Sequence, residues 1–214
     1  MFLWLQRCTK VKIGMKQNKL KIAVTGGIGS GKSVVLGFIE EFGYPVYSCD
    51  SITHDAYNEL DILLKIKQVF PDCMKDGILD RKKIAAVVFS DKTKRLALEK
   101  ILHPAIMRIL NNKMNDVKSG LVFAEVPLLF ENGFENAFDR VVVVLRDQKD
   151  RVSAVKARDD LSEQEVLLRI KNQFNYENKI VFEHTVIYND GTIEKLREKV
   201  GSVLEKFKDE IVCD

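Results

Sequence analysis

The sequence predicts an α/β protein, a parallel five-stranded sheet flanked by helices with a helical insertion after the second strand. Three observations predict it. Short β-branched or apolar runs alternate with helical patterns, the order expected of βαβ units. The run Val141-Val142-Val143-Val144-Leu145 is apolar without alternation, as befits a strand buried on both faces. Residues 51–120 contain no strand candidate and read as helical.

Each element follows from local pattern. Leu20–Thr25 is a short run with β-branched residues and forms the first strand. Gly26-Gly27-Ile28-Gly29-Ser30-Gly31-Lys32-Ser33 comes next and satisfies G-x-x-x-x-G-K-[ST]. Val34, Val35, Phe38, Ile39 and Phe42 then recur at helical spacing, so the glycine loop joins a strand to a helix. Gly43 stops that helix, and Tyr44–Cys49 forms a second strand. Ser51–Phe70 reads as one helix closed by Pro71, Asp76-Gly77 marks a turn, and Asp80-Arg81 opens another helix. The helical region continues to Lys118, with a break or restart expected at His103-Pro104, because proline lacks an N–H and clashes with the preceding turn. Leu121–Val126 is the third strand and the valine run the fourth. Charged helices follow over Asp147–Arg158 and Ser162–Lys179, the second opened by the capping box Ser162-Glu163-Gln164-Glu165. His184–Tyr188 is the fifth strand and Thr192–Phe207 the last helix.

The glycine loop carries the chemistry. Its glycines let backbone N–H groups turn inward around phosphate oxygens, at the positive end of the following helix. Gly27, Ile28, Gly29, Ser30, Gly31, Lys32, Ser33 and Val34 are therefore the candidate nucleotide cradle. Lys32 would reach the β- and γ-phosphates, and the Ser33 hydroxyl would ligate Mg²⁺. This setting makes the fold a P-loop NTPase type, with ligands at the carboxyl ends of the strands. No G-x-G-x-x-G can be read from these glycines, which excludes a dinucleotide fingerprint. No D-x-x-G occurs, and Asn178-Lys179-Ile180-Val181 lacks the aspartate of a guanine reader, which argues against a GTPase. The third strand ends in a single carboxylate, Glu125, where an ATPase motor would show an adjacent pair. A small-molecule kinase fits better, with Asp50 after the second strand and Arg151 and Arg158 on a late charged helix acting as a lid.

Composition bounds the partners. Lys and Arg number 34 against 31 acidic residues, and a net charge of +3 is too mild to argue for nucleic acid or a membrane surface. Cys8, Cys49, Cys73 and Cys213 form no C-x-x-C pair, which favours reduced thiols in the cytoplasm. Residues 1–19 read as a flexible N-terminal tail, its apolar run too short and its charges misplaced for a secretory signal.

Several motifs then fall in order. Thr25 through Ser33, Cys49-Asp50, Asp80-Arg81, Leu102-His103-Pro104, Pro127-Leu128-Leu129-Phe130-Glu131, Arg158-Asp159, Arg169-Ile170 with Gln173, and Val186-Ile187-Tyr188-Asn189 with Gly191 resemble the dephospho-coenzyme A kinases over residues 20–200. The Pro-Leu-Leu-Phe-Glu segment and the His-Pro pair are more specific to that family than the P-loop. The resemblance implies ATP-dependent phosphorylation of the ribose 3′-hydroxyl of dephospho-CoA, with ATP as donor and Mg²⁺ bound; the sequence does not give the oligomeric state, for which a monomer is favoured. It implies a nucleotide-binding core (residues 20–50, 121–146 and 181–214), a CoA domain (51–120) and a lid (147–180).

Residue roles follow from the same resemblance. Lys32, Asp50 and Arg158 would be catalytic, with Asp50 the base for the 3′-hydroxyl, a contact to magnesium-bound water or a plain helix N-cap, and a solvated helix charge as the plain alternative for Arg158. Arg81 resembles the acceptor-site arginine, its fork suited to phosphate, although an exposed arginine at a helix start is the plain alternative. His103 is read as an acceptor-domain residue with a structural role ahead of a catalytic one. Leu128 and Phe130 would shape the acceptor pocket or pack the core, and Glu131 would face substrate or form a buried ion pair. Asn189 resembles the adenine-side residue, with a turn asparagine before Asp190-Gly191 as the local alternative. Three positions depart from the family pattern. Ser48 replaces a common aspartate, Tyr188 stands where an acidic residue is common, and Ala154 replaces the lid arginine, for which Arg151 on the same helical face would substitute. Another P-loop kinase and a non-catalytic nucleotide-binding regulator are the alternative readings.

Overall fold

The computed structural model describes residues 19–75 and 77–212; nearly all of the expected N-terminal tail lies outside the described residues. The elements run β1 (Leu20–Thr25), α1 (Lys32–Glu41), β2 (Val46–Ser48), α2 (Cys49–Ala56), α3 (Leu60–Val69), β3 (Met74–Lys75), β4 (Ile78–Leu79) and α4 (Arg81–Ser90). They continue through α5 (Lys92–Asp116), β5 (Leu121–Glu125), β6 (Arg140–Leu145), α6 (Gln148–Asp159), α7 (Glu163–Lys171), β7 (Thr185–Tyr188) and α8 (Ile193–Val212). Five strands form a parallel sheet of order β2-β5-β1-β6-β7, so the strand that feeds the glycine loop is central.

Alternation of side chains explains the unbroken apolar strands. Ile22, Val24, Phe123, Val142 and Val144 face α1 and α8, packing on Val35, Ile39, Val200, Leu204 and Phe207. Their neighbours Ala23, Val122, Ala124, Val141 and Val143 face the other side and meet Ile52, Leu110 and Met114. Both faces are covered, so both alternating sets are apolar. Among the described residues no helix is long and apolar enough to cross a membrane.

The insertion has its own core, built on Ile62, Ile66, Phe70, Ile84, Leu98 and Leu102. Its helix α5 belongs to both cores, with Leu98, Leu102 and Ala105 in the insertion and Leu110 and Met114 under the sheet. That continuous apolar face overrides the expected break at His103-Pro104: α5 runs for 25 residues with Pro104 inside it. Proline leaves the carbonyl of Lys100 without its helical donor, but Lys100 is exposed and water can serve that oxygen.

Three other expectations are corrected. The helix predicted over Ser51–Phe70 is two, because a tightened turn at Tyr57-Asn58-Glu59 separates α2 from α3. The insertion is not free of strands, since β3 and β4 form a two-stranded antiparallel ribbon. Helix α7 stops at Lys171 and not Lys179, because the Asn175 and Asn178 side chains accept backbone N–H groups at 3.0 and 3.1 Å and turn the chain.

Candidate active site

The carboxyl ends of β1, β2, β5, β6 and β7 converge on the glycine loop. Gly31 caps α1 at φ +92°, a left-handed conformation that favours glycine, and a Cβ there would lie 2.2 Å from Asn189 Nδ2. The loop is held from outside by side chains from three separate segments. Asn189 Nδ2 donates to the Ser30 carbonyl at 2.9 Å. Gln173 Oε1 accepts the Ile28 N–H at 2.8 Å, and Arg151 Nε donates to the Ile28 carbonyl at 2.9 Å. Both polar groups of the Ile28 backbone are thus fastened by residues that follow β6. The buried Ser30 hydroxyl has no partner among the described residues, while Ser33 and Val34 are exposed in the first turn of α1.

Lys32 Nζ lies 3.6 Å from Glu125 Oε1, both largely shielded from solvent. Glu125 is the site residue that sequence reasoning missed. It ends an apolar strand and sits in register with Val24 on one side and Ser48 on the other, so β-pairing delivers it beside the loop. The available signal was a lone carboxylate at the end of the third strand.

On the β2–β5 side a cleft of 140 Å³ brings together Asp50, His103 and Leu128 with Cys49, Met107 and Phe134. Residues from three distant parts of the sequence are joined there by α2, α5 and the segment after β5. Ser48 caps α2 by accepting the Asp50 N–H at 3.3 Å, so Asp50 is in the first turn and its carboxylate has no partner among the described residues. The Cys49 thiol is pushed up to about 12, first by burial and then by the charges of Asp50 and Glu125. Both carboxylates are therefore close to one thiol. His103 meets the edge of Phe134 with centroids 5.3 Å apart.

Other expected site residues lie apart from that cleft. Arg81 sits over the Tyr57 ring, 5.3 Å from its centroid, with Nη2 3.4 Å from Asn58 Oδ1. Burial pushes the Tyr57 phenol up, partly offset by Arg81. Phe130 stacks on Phe174 at 4.8 Å and packs beside the lower sheet core. Glu131 is exposed, not buried, and its Oε1 accepts the Phe174 N–H at 2.9 Å. This pair anchors the return segment after α7.

The arginines of α6 divide. Arg158 is exposed and chelated by its neighbour Asp159 through bonds of 2.7 and 3.0 Å, which hold its pKa up and that of Asp159 down. Two adjacent opposite charges at an exposed helix end satisfy each other, and Arg158 does not reach the loop. Arg151 does reach it, half-buried, with burial lowering its pKa. A second cleft of 480 Å³ opens on this side, lined by Gly27, Ser30, Arg146, Arg151, Phe182 and Tyr188 among others. A larger groove of 1220 Å³ lies at the amino ends of β6 and β7, with no loop residue in its wall. Strand polarity sets it away from Lys32.

The sequence and the architecture match known proteins. The dephospho-CoA kinase family model matches residues 20–195. A dephospho-CoA kinase of Thermus thermophilus is 37% identical over 186 residues, covering 87% of this chain and 91% of that protein. One from Bacillus cereus is 37% identical over 198 residues, covering 87% and 96%. A solved Thermus thermophilus structure superposes with a TM-score of 0.74 at 36% identity, over 88% of this chain and 97% of that one. Shikimate kinase from Acinetobacter baumannii, at 13% identity and a TM-score of 0.52 over 91% and 96% of the two chains, shares the fold alone. With the glycine loop, the insertion and the α6–α7 region all inside the matched span, the chain belongs to the dephospho-CoA kinase family.

Proposed function

We propose that the protein transfers the γ-phosphoryl group of ATP to the ribose 3′-hydroxyl of dephospho-CoA, giving coenzyme A and ADP. The observation that carries this reading is the unpartnered Asp50 carboxylate in a cleft with His103 and Leu128, across the β5 end from the Lys32–Glu125 pair. Loop amides and Lys32 bind the β- and γ-phosphates, which draw Lys32 from Glu125. The 3′-hydroxyl oxygen attacks the γ-phosphorus in line, its proton passes to Asp50, and the bond to the ADP oxygen breaks.

A magnesium ion fits the residues present. Among the described residues no three His, Cys, Asp or Glu side chains gather to hold a metal, but magnesium on a nucleotide takes phosphate oxygens, water and few protein groups. The exposed Ser33 hydroxyl would hold it, with Glu125 and Asp50 ordering its waters. When bound it supplies charge neutralisation on the β- and γ-phosphates.

Residues 51–120 form the acceptor-binding unit in this reading and 147–180 the lid. His103 and Leu128 contact the acceptor, and Arg81 meets an anionic part of it. Asn189 orders the nucleotide side of the loop. Arg158 exchanges Asp159 for the transferring phosphate on closure, and Arg151 supplies the guanidinium missing at Ala154. Phe130 and Glu131 support the lid. In this reading the protein acts as a monomer in the cytoplasm, a reducing compartment in which thiols such as those of Cys49 and Cys73 stay free.

ADP release from MgATP, measured with dephospho-CoA, adenosine, AMP or shikimate, tests the proposal. Stimulation by dephospho-CoA alone, with CoA as product, is expected. Turnover with another acceptor in its place would overturn it.

A further inference from the structure

Ile28, in the middle of the phosphate loop, is held through its backbone and its side chain by the segment after β6. Its N–H donates to Gln173 Oε1 at 2.8 Å, and its carbonyl accepts from Arg151 Nε at 2.9 Å. Its side chain packs on the buried cluster of Val152, Val155 and Val166. Among the described residues it is the one member of that cluster from outside α6, α7 and Leu161. The ion pairs Lys156–Glu163 and Arg169–Asp159 stay within these two helices, which thus bind each other and meet the loop at Ile28. The approach is close. A Cβ on Gly29, at φ +75°, would lie 2.7 Å from the Arg151 carbonyl oxygen, a backbone atom that cannot swing aside.

An anion cradle is made of loop N–H groups that turn inward. The Ile28 N–H is committed to Gln173 instead, so it is a handle on the loop and not a donor to phosphate. The glycines at 26, 27, 29 and 31 give the loop many conformations to lose on binding, a cost that a hold from outside reduces. Gln173 is itself fixed. Its N–H donates to the Ile170 carbonyl at 3.2 Å, at the end of α7. The next N–H, that of Phe174, is accepted by Glu131, and the Phe174 ring stacks on Phe130. A side chain seated this firmly can order the strand of loop that it holds.

We propose that Gln173 is a positioning residue for phosphoryl transfer: by holding the Ile28 N–H it keeps the phosphate loop in its binding conformation before the donor arrives. The inference rests on the phosphate-binding reading of the loop but not on the identity of the acceptor. Gln173→Met keeps the side-chain length and removes the oxygen acceptor. Calorimetry on the full chain without acceptor, well below its melting temperature, would compare ATP and inorganic tripolyphosphate in wild type and variant. NMR would follow amide exchange at Ile28 in the ligand-free proteins. Both ligands should weaken by the same factor, roughly fivefold, the scale of one hydrogen bond. The Ile28 amide should exchange severalfold faster before any ligand is added. Weaker binding with Ile28 exchange unchanged would make Gln173 a direct phosphate contact and overturn the proposal. Unchanged affinities, or a loss confined to ATP, would overturn it too. If Gln173→Met fails to fold, the wild type decides: tripolyphosphate should slow exchange at Ile28 and, by linkage, at Val166 on α7, and unchanged exchange at both would refute the coupling. If neither ligand binds the wild type, the loop reading falls and this inference with it. Wild-type binding that the substitution leaves alone overturns this inference only.

Discussion

Replacing Gly31 by alanine separates two costs that the structure superimposes at one position. The first is conformational: φ of +92° costs an L-residue about 1–2 kcal/mol. The second is steric. The new Cβ would stand 2.2 Å from Asn189 Nδ2, so that amide must swing away and its 2.9 Å bond to the Ser30 carbonyl is lost, at about 1 kcal/mol. Together they set about 2–3 kcal/mol against the loop conformation. For a chain of this size each kcal/mol lowers Tm by about 2–4 °C, so Gly31→Ala should melt roughly 4–12 °C lower. In an Asn189→Ala background the amide is gone, and the Asn189 Cβ lies 4.0 Å away, an ordinary contact. There Gly31→Ala should cost only the conformational part, giving a coupling of about 1 kcal/mol in a double-mutant cycle followed by thermal melts and MgADP affinity. Equal costs in both backgrounds would refute the argument, since Asn189 would then not be the obstacle.

The other predictions concern chemistry. Asp50→Asn should keep ATP affinity and lower kcat by roughly 10²-fold or more if Asp50 takes the proton; an unchanged kcat removes it as the base. Arg151→Ala should lose about tenfold or more in kcat/KM, the scale of one charge-assisted hydrogen bond, and normal turnover would reject it as the replacement for the guanidinium absent at Ala154. Glu125→Gln should tighten metal-free ADP binding, because Lys32 no longer has a competing partner, while slowing turnover in MgATP; weaker metal-free binding contradicts the pairing role. A thiol with its pKa pushed up to about 12 stays protonated at pH 8, so mass spectrometry should find Cys49 unalkylated by iodoacetamide there, whereas ready modification would contradict that upward shift.

Much of the fold was legible because its signals are local. The alternating cores explain why the valine run reads as a doubly buried strand, and the capping box at Ser162 forms with both reciprocal bonds. Local turns missed at Tyr57-Asn58-Glu59 and Asn175 account for two errors, and distant packing for another. Pro104 is carried through α5 because that helix is anchored in two separate cores, which no window around His103 reveals. The site divides in the same way. Lys32 and Ser33 follow from a motif, but Glu125 comes beside Lys32 only through pairing between β1 and β5. Arg158 shows the opposite limit. Its motif position was plain, yet its adjacent aspartate holds it on the surface.

The arrangement also separates charge across the loop. The β2–β5 side carries Asp50 and Glu125, with Lys32 between loop and carboxylate. The β6 side carries Arg146 and Arg151, with Asp147 committed to a helix cap and Asp190 to Lys199. A hydroxyl that must lose a proton, together with a cation and its waters, belongs on the acidic side. A polyanionic donor whose leaving group gains charge belongs against the basic side. The γ-phosphoryl group would then move from guanidinium toward carboxylate along the sheet edge. In the proposed reading the acceptor takes the cleft beside Asp50 and the donor the one beside Arg151, on opposite sides of β1, the strand that carries the loop, which would give that transfer its direction.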